Sequence, residues 1–133
     1  MSTLNVANIV NAWVEQKLQL GFTIYNDIIP DTDNNAACLR YDPAPAAEDR
    51  YIDGTRLVQW NLAYYVRNSN RTTARQYADE ITAALDGVQI YDQASGITVN
   101  VEAQTLPQFV TVDEKNNTVY SAAIVARYLE PRS

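Results

Sequence analysis

The chain has 133 residues, 47% of them hydrophobic and 20% charged. This predicts one domain over 1–133 and excludes extended disorder. A formal net charge of −6 excludes a surface that attracts nucleic acid or acidic membrane as a whole. With Cys38 as the single cysteine and no histidine, an intrachain disulfide is excluded and neither a metal site nor a cofactor is expected.

The amino terminus, MSTLNVANIVNAWVEQ, lacks the basic segment, apolar run and cleavage site of a secretory signal. No run of about 18 apolar residues exists to span a membrane, so the expected compartment is the cytoplasm of the producing cell. Leu4, Ala7, Val10, Val14 and Leu18 recur at helical spacing, which predicts an amphipathic helix over 4–20, capped by Ser2 or Thr3 and stopped by Gly21. FTIY and ACLRY read as two strands joined by the turn-rich NDIIPDTDNN, a loose hairpin. DPAPAAEDR reads as a polar loop.

The longest strand signal runs from Ile52 to Arg67. Val58, Trp60, Leu62, Tyr64 and Val66 share one face, and Leu57, Gln59, Asn61, Ala63 and Tyr65 the other. Ser69 or Asn70 caps a second helix with the stripe Ala74, Tyr77, Ala78, Ile81, Ala84 and Leu85, closed by Gly87. VQIYD, ITVNVEAQTL, FVTVD and TVYSAAIVARYL follow as strands, the last covered on both faces over much of its length. The fold class is therefore α+β, a mainly antiparallel sheet with two principal helices packed against it.

Three sites can be weighed. Asp31, Asp33, Asn35 and Asp42 have the spacing of an EF-hand-like loop, but Ala36 stands where that loop needs glycine and the flanks are strands, which favours an Asx-rich turn. Neighbouring acids such as Asp79 and Glu80 point apart on a helix, and no serine or Cys38 has a histidine base, so an enzyme has no footing. The stretch VQWNLAYYVRNSNRTTARQY could form a base-stacking surface with a basic rim, the alternative reading being a small nucleic-acid-binding module. Trp60 and Tyr64 are in phase with the core face, however, and only Tyr65 remains as an exposed ring.

Charge is unevenly spread. Asp27 to Asp53 holds seven acids against Arg40 and Arg50, whereas Arg56 to Arg75 holds four arginines and no acid. Arg71 and Arg75 lie in the first turns of the second helix, where the macrodipole disfavours cations, and Arg71 has no acid one turn on. The expected partner is acidic, and the Asp31 to Asp53 loop of another copy would serve. The interface candidates are Tyr65, Arg67, Arg71 and Arg75 against Asp31, Asp33, Asp49 and Asp53.

The carboxy-terminal run LPQFVTVDEKNNTVYSAAIVARYLEPR, preceded by YADEITAALDG and the strand VQWNLAYYVRN, resembles the phage minor capsid and tail-terminator proteins over roughly residues 55 to 130. The resemblance implies an α+β neck protein of the virion, without catalytic residues. It would assemble with itself into a ring, a hexamer in such proteins, at the head-proximal end of the tail tube. Its other partners would be the tail tube protein and the head connector, with DNA passing through the channel without specific binding and no membrane involved.

Overall fold

The structure is a computed structural model that describes residues 5–18, 23–26, 28–30, 33–41, 47–50 and 55–130. Helix α1 (Val6–Lys17) is shorter at both ends than its periodicity suggests, because Asn5, not Ser2 or Thr3, caps it. The Asn5 side chain accepts the Asn8 N–H at 3.2 Å, and the chain becomes extended at Leu18, whose N–H reaches the Val14 carbonyl. Ser2, Thr3 and Gly21 lie outside the described residues. Another free N–H of the first turn, that of Ala7, donates to the Tyr41 hydroxyl at 3.3 Å, which ties the helix start to the sheet.

The strands are β1 (Thr23–Asn26), β2 (Asn35–Tyr41), β3 (Ala47–Arg50) and β4 (Arg56–Asn68). After helix α2 (Arg71–Leu85) come β5 (Val88–Asp92), β6 (Ile97–Ala103), β7 (Gln108–Val112) and β8 (Thr118–Glu130). They form one mixed, mostly antiparallel eight-stranded sheet in the order β1-β2-β4-β8-β6-β5, with β3 beside β4 and β7 beside β8. Its spine is the β4/β8 pair, in register from Arg56↔Glu130 to Asn68↔Thr118. Each outer edge of the spine is shared by two shorter strands. On β4, β2 covers 62–68 and β3 covers 56–59. On β8, β6 covers 124–127 and β7 covers 118–121.

Two expectations are corrected. β1 and β2 pair in parallel, not as a hairpin. The segment between them carries its own apolar anchor, Ile29, buried against Ala36 and Cys38, so it packs on the sheet instead of turning back at once. Within DPAPAAEDR the last four residues form strand β3, antiparallel to β4. They follow the last proline of the segment, so their N–H groups are free to bond the stretch of β4 that β2 leaves open.

The core lies between one face of the sheet and both helices. Val58, Leu62, Tyr64 and Val66 of β4 meet Ile124, Ala126 and Tyr128 of β8, Val6, Val10 and Val14 of α1, and Ala78, Ile81 and Leu85 of α2. Asn70 caps α2 by accepting the Thr73 N–H at 3.1 Å. Gly87 follows the helix with φ 78, a left-handed conformation that suits glycine, and donates to the Val101 carbonyl at 2.9 Å. Among the described residues no helix covers the opposite sheet face. β8 is buried on the helix side and half-buried across most of the other, while Tyr25, Ile29, Ala36, Cys38 and Tyr65 form a small second cluster there.

A polar contact crosses the core: the buried Tyr64 hydroxyl donates to Asn11 Oδ1 at 3.0 Å. Burial, and then the charge of Glu15, push the Tyr64 phenol well above its ordinary pKa, so it remains a donor. Asn11→Ala should therefore cost about 1–3 kcal/mol, the penalty of a buried unpaired hydroxyl. Tyr64→Phe should cost less in that background than in the parent, a coupling that denaturant titration of the four chains would measure.

Candidate assembly surface

Position along β4 decides what each candidate side chain meets. Tyr65, on the face away from the helices, is half-buried, and the Arg40 guanidinium of β2 sits 4.2 Å from its ring centroid. Trp60 packs against Tyr41 at 5.2 Å and donates its indole N–H to the Tyr128 hydroxyl at 3.4 Å. Tyr64 is enclosed in the core. The rings of VQWNLAYY are thus engaged within the chain, which removes the stacking platform that a nucleic-acid reading of that stretch requires.

Arg67 fastens two loops to the end of β4. Its Nη1 donates to the carbonyls of Pro30 at 3.1 Å and Asp33 at 3.3 Å, and its Nε lies 3.5 Å from Asp113 Oδ2. Asn117 doubles the link by donating to Asn34 Oδ1 at 2.9 Å. Asp33 itself accepts from the Tyr25 hydroxyl at 2.9 Å and the Asn35 N–H at 3.1 Å, an Asx turn in place of a cation loop. Asp31, Asp42 and Asp53 lie outside the described residues, and Asp49 stands in β3 in register with Leu57. Among the described residues no group of His, Cys, Asp and Glu could hold a metal ion.

Arg71 and Arg75 are exposed at the start of α2. Arg75 faces Asp79 one turn on at 4.0 Å, with 70% of its own side chain in solvent. Such an exposed pair contributes little. Arg71 lies 5.5 Å from the centroid of the Phe109 ring on β7. The residue that meets this otherwise unexplained arginine is thus an aromatic ring nearly forty positions away, which local spacing could not reveal.

Phe109 belongs to the surface that sequence reasoning missed. Every residue of β7 is exposed. Large apolar groups dominate it: Leu106 just before the strand is 79% exposed, Phe109 50%, Val110 45% and Val112 38%. Val110 sits at a bulge, between the pairs Phe109↔Tyr120 and Thr111↔Val119. Phe109 leans edge-on against Tyr120, with centroids 6.0 Å apart. Among the described residues no strand pairs with the outer edge of β7. An exposed apolar edge with unused backbone donors and acceptors is a template for another chain. The available signal was FV followed by TV, adjacent apolar residues that a one-sided strand does not need.

The hairpin that carries β7 is held firmly at its tip. Asp113 accepts the backbone N–H groups of Asn117 at 2.8 Å and Lys115 at 3.0 Å, and the Asn117 side-chain amide at 3.3 Å. Asn116 takes the left-handed conformation, φ 67, in that turn. The Asn117 backbone N–H above all holds the Asp113 carboxyl below its ordinary pKa; partial desolvation opposes it, and the Asn117 side chain, Lys115 N–H and Arg67 add to the lowering. A depressed carboxyl contributes stability that is complete above the unfolded value of about 3.9 and is lost as pH falls through the lower folded value. The melting-temperature gap between the parent and Asp113→Ala should therefore hold near neutrality and shrink under acid; a gap that widens under acid would contradict the assignment.

The profile of the bacteriophage tail terminator protein family matches residues 15–130. The chain belongs to that family. The resemblance seen in the carboxy-terminal run is borne out, and membership makes this a structural phage tail protein, a component of the virion, in a family that is not one of enzymes. The fold agrees: a chain of the solved "Virion of native gene transfer agent (GTA) particle" superposes with a TM-score of 0.62 at 16% identity, over 96% of this chain and 99% of that one. No curated protein matches. Among the described residues, no helix of this tail terminator is long and apolar enough to cross a membrane.

Proposed function

We propose that this tail terminator is a single domain that closes into a hexameric ring at the head-proximal end of the tail tube, stops tube growth and offers its other surface to the head connector. The observation that carries the reading, beyond family membership, is the exposed apolar strand β7 beside Arg71. A monomer has little reason to keep such an edge in water. Contacts between two unlike patches close into rings where the rotation allows.

The arginine end of α2, Arg71 and Arg75, supplies the basic half of the contact to acids of the neighbouring subunit, and the segment from Asp31 to Asp53, with Asp33 and Asp49, is one source of those acids. Tyr65 and Arg67 act in this interface by holding β2 and the carbonyls of Pro30 and Asp33, and with them the acid Asp33. A net charge of −6 suits a channel that DNA must pass without adhering, because phosphates are retained by cations. Electron microscopy of the purified protein with purified tail tubes tests the reading. Rings seated on one end of the tubes are expected; tubes that stay uncapped and keep elongating would end it.

A further inference from the structure

A partly apolar concavity lies elsewhere on the chain. Between α1 and β5 runs a groove of about 420 Å³, walled by Ile9, Ala12 and Trp13 on the helix and by Gln89, Tyr91 and Asp92 on the strand. Tyr91 is 62% exposed at its rim. β5 ends the sheet, and among the described residues no strand pairs with its outer edge. We infer that this groove receives strand β7 of a second copy of the chain, so that Phe109 and Val110 enter between α1 and β5. The inference rests on the ring reading above and names the two patches that would meet.

Three observations select this occupant. Charge is complementary: Asp92 is the one charged residue among the described residues lining the groove, and the incoming Phe109 carries the Arg71 guanidinium with it. The Asp92 carboxylate is already oriented, accepting the Ser95 hydroxyl at 2.6 Å and its N–H at 3.3 Å. The backbones match as well, since two unpaired strand edges that pair continue the sheet from one subunit into the next. Lastly, Ile9, Ala12, Trp13 and Ile90 give the otherwise polar groove an apolar strip, which Phe109 and Val110 cover on entering. The two patches differ, so the contact is heterologous and propagates around a ring, where a patch meeting itself would stop at a dimer.

Cysteine cross-linking decides it, because Cys38 is buried and silent in the parent. The intact chain is prepared as Gln89→Cys, as Val110→Cys and as the double variant, each checked for an unchanged melting transition, and treated with a short bis-maleimide. Tyr91→Cys replaces Gln89→Cys should the latter not fold. The double variant is expected to give a ladder of covalent multimers, the two single variants mixed together only dimers, and each single variant by itself only monomers. Dimers from Val110→Cys by itself would mean that β7 pairs with β7, and would overturn the inference. Rings visible by microscopy without a ladder would overturn it too, while leaving the ring reading standing. A chain that stays monomeric at every concentration and gives no ladder overturns both.

Discussion

Phe109→Asp is expected to leave the chain folded and to abolish its self-assembly at working concentrations. The ring is half exposed in the single chain. Within the chain its loss removes an edge-on contact with Tyr120 and a cation–π contact with Arg71, together about 1–2 kcal/mol. In the proposed assembly the same side chain is an anchor in the groove of the next copy, and truncating such an anchor costs about 2 kcal/mol or more, roughly a thirtyfold rise in dissociation constant. A carboxylate driven into that site adds desolvation to the loss. Analytical ultracentrifugation across a concentration series, with a melting curve of the same sample, separates the two effects. A variant that associates as well as the parent would remove β7 from the interface.

The largest effect on the fold itself is expected from Leu62→Ala and Ile81→Ala. Both side chains are fully buried, one in β4 and one in α2, in the core between sheet and helices. Deleting either leaves a cavity that the sheet cannot collapse into, because β4 is paired with β8 along its whole length. Each should cost about 2–5 kcal/mol. Against a total of about 5–15 kcal/mol, that is a large share and lowers the melting temperature by roughly 10 °C. Leu129→Ala is the control, since that side chain is 55% exposed near the end of β8. Its change should stay within about 0.5 kcal/mol. Equal losses at positions 62, 81 and 129 would mean that the core is elsewhere.

Much of this was readable in the chain. The face Val58, Leu62, Tyr64 and Val66 and the stripe Ala74, Ala78, Ile81 and Leu85 are local periodicities, and they turned out buried because nothing distant has to act for such a pattern to exist. The Asn70 cap and the left-handed Gly87 are likewise local chemistry. β3 was not readable, because Pro43 and Pro45 make the whole segment look like a loop although its last four residues carry no proline. The parallel pairing of β1 and β2 was not readable either, since two short strands and a turn-rich connection suit a hairpin equally well.

The candidate residues divide in the same way. Arg71 and Arg75 stood out correctly as cations at the wrong end of a helix, but the ring that meets Arg71 comes from β7. Tyr65 and Arg67 looked free in sequence because their partners, Arg40, Pro30, Asp33 and Asp113, are all more than twenty residues away.

From the order of its residues, this chain is bound to form two amphipathic helices and several alternating strands, without histidine and with a single cysteine, and with the marks of a phage tail protein. Those properties follow from short-range spacing and composition, which exist before any two distant segments meet. Which strand edges stay uncovered, which arginines become internal fasteners, and where a partly apolar groove opens between α1 and β5 depend on how much of each spine edge the shorter strands occupy. β6 pairs with β8 only over 124–127, so β7 takes the stretch 118–121, and among the described residues no strand covers the outer edge of β7, which leaves its apolar residues exposed.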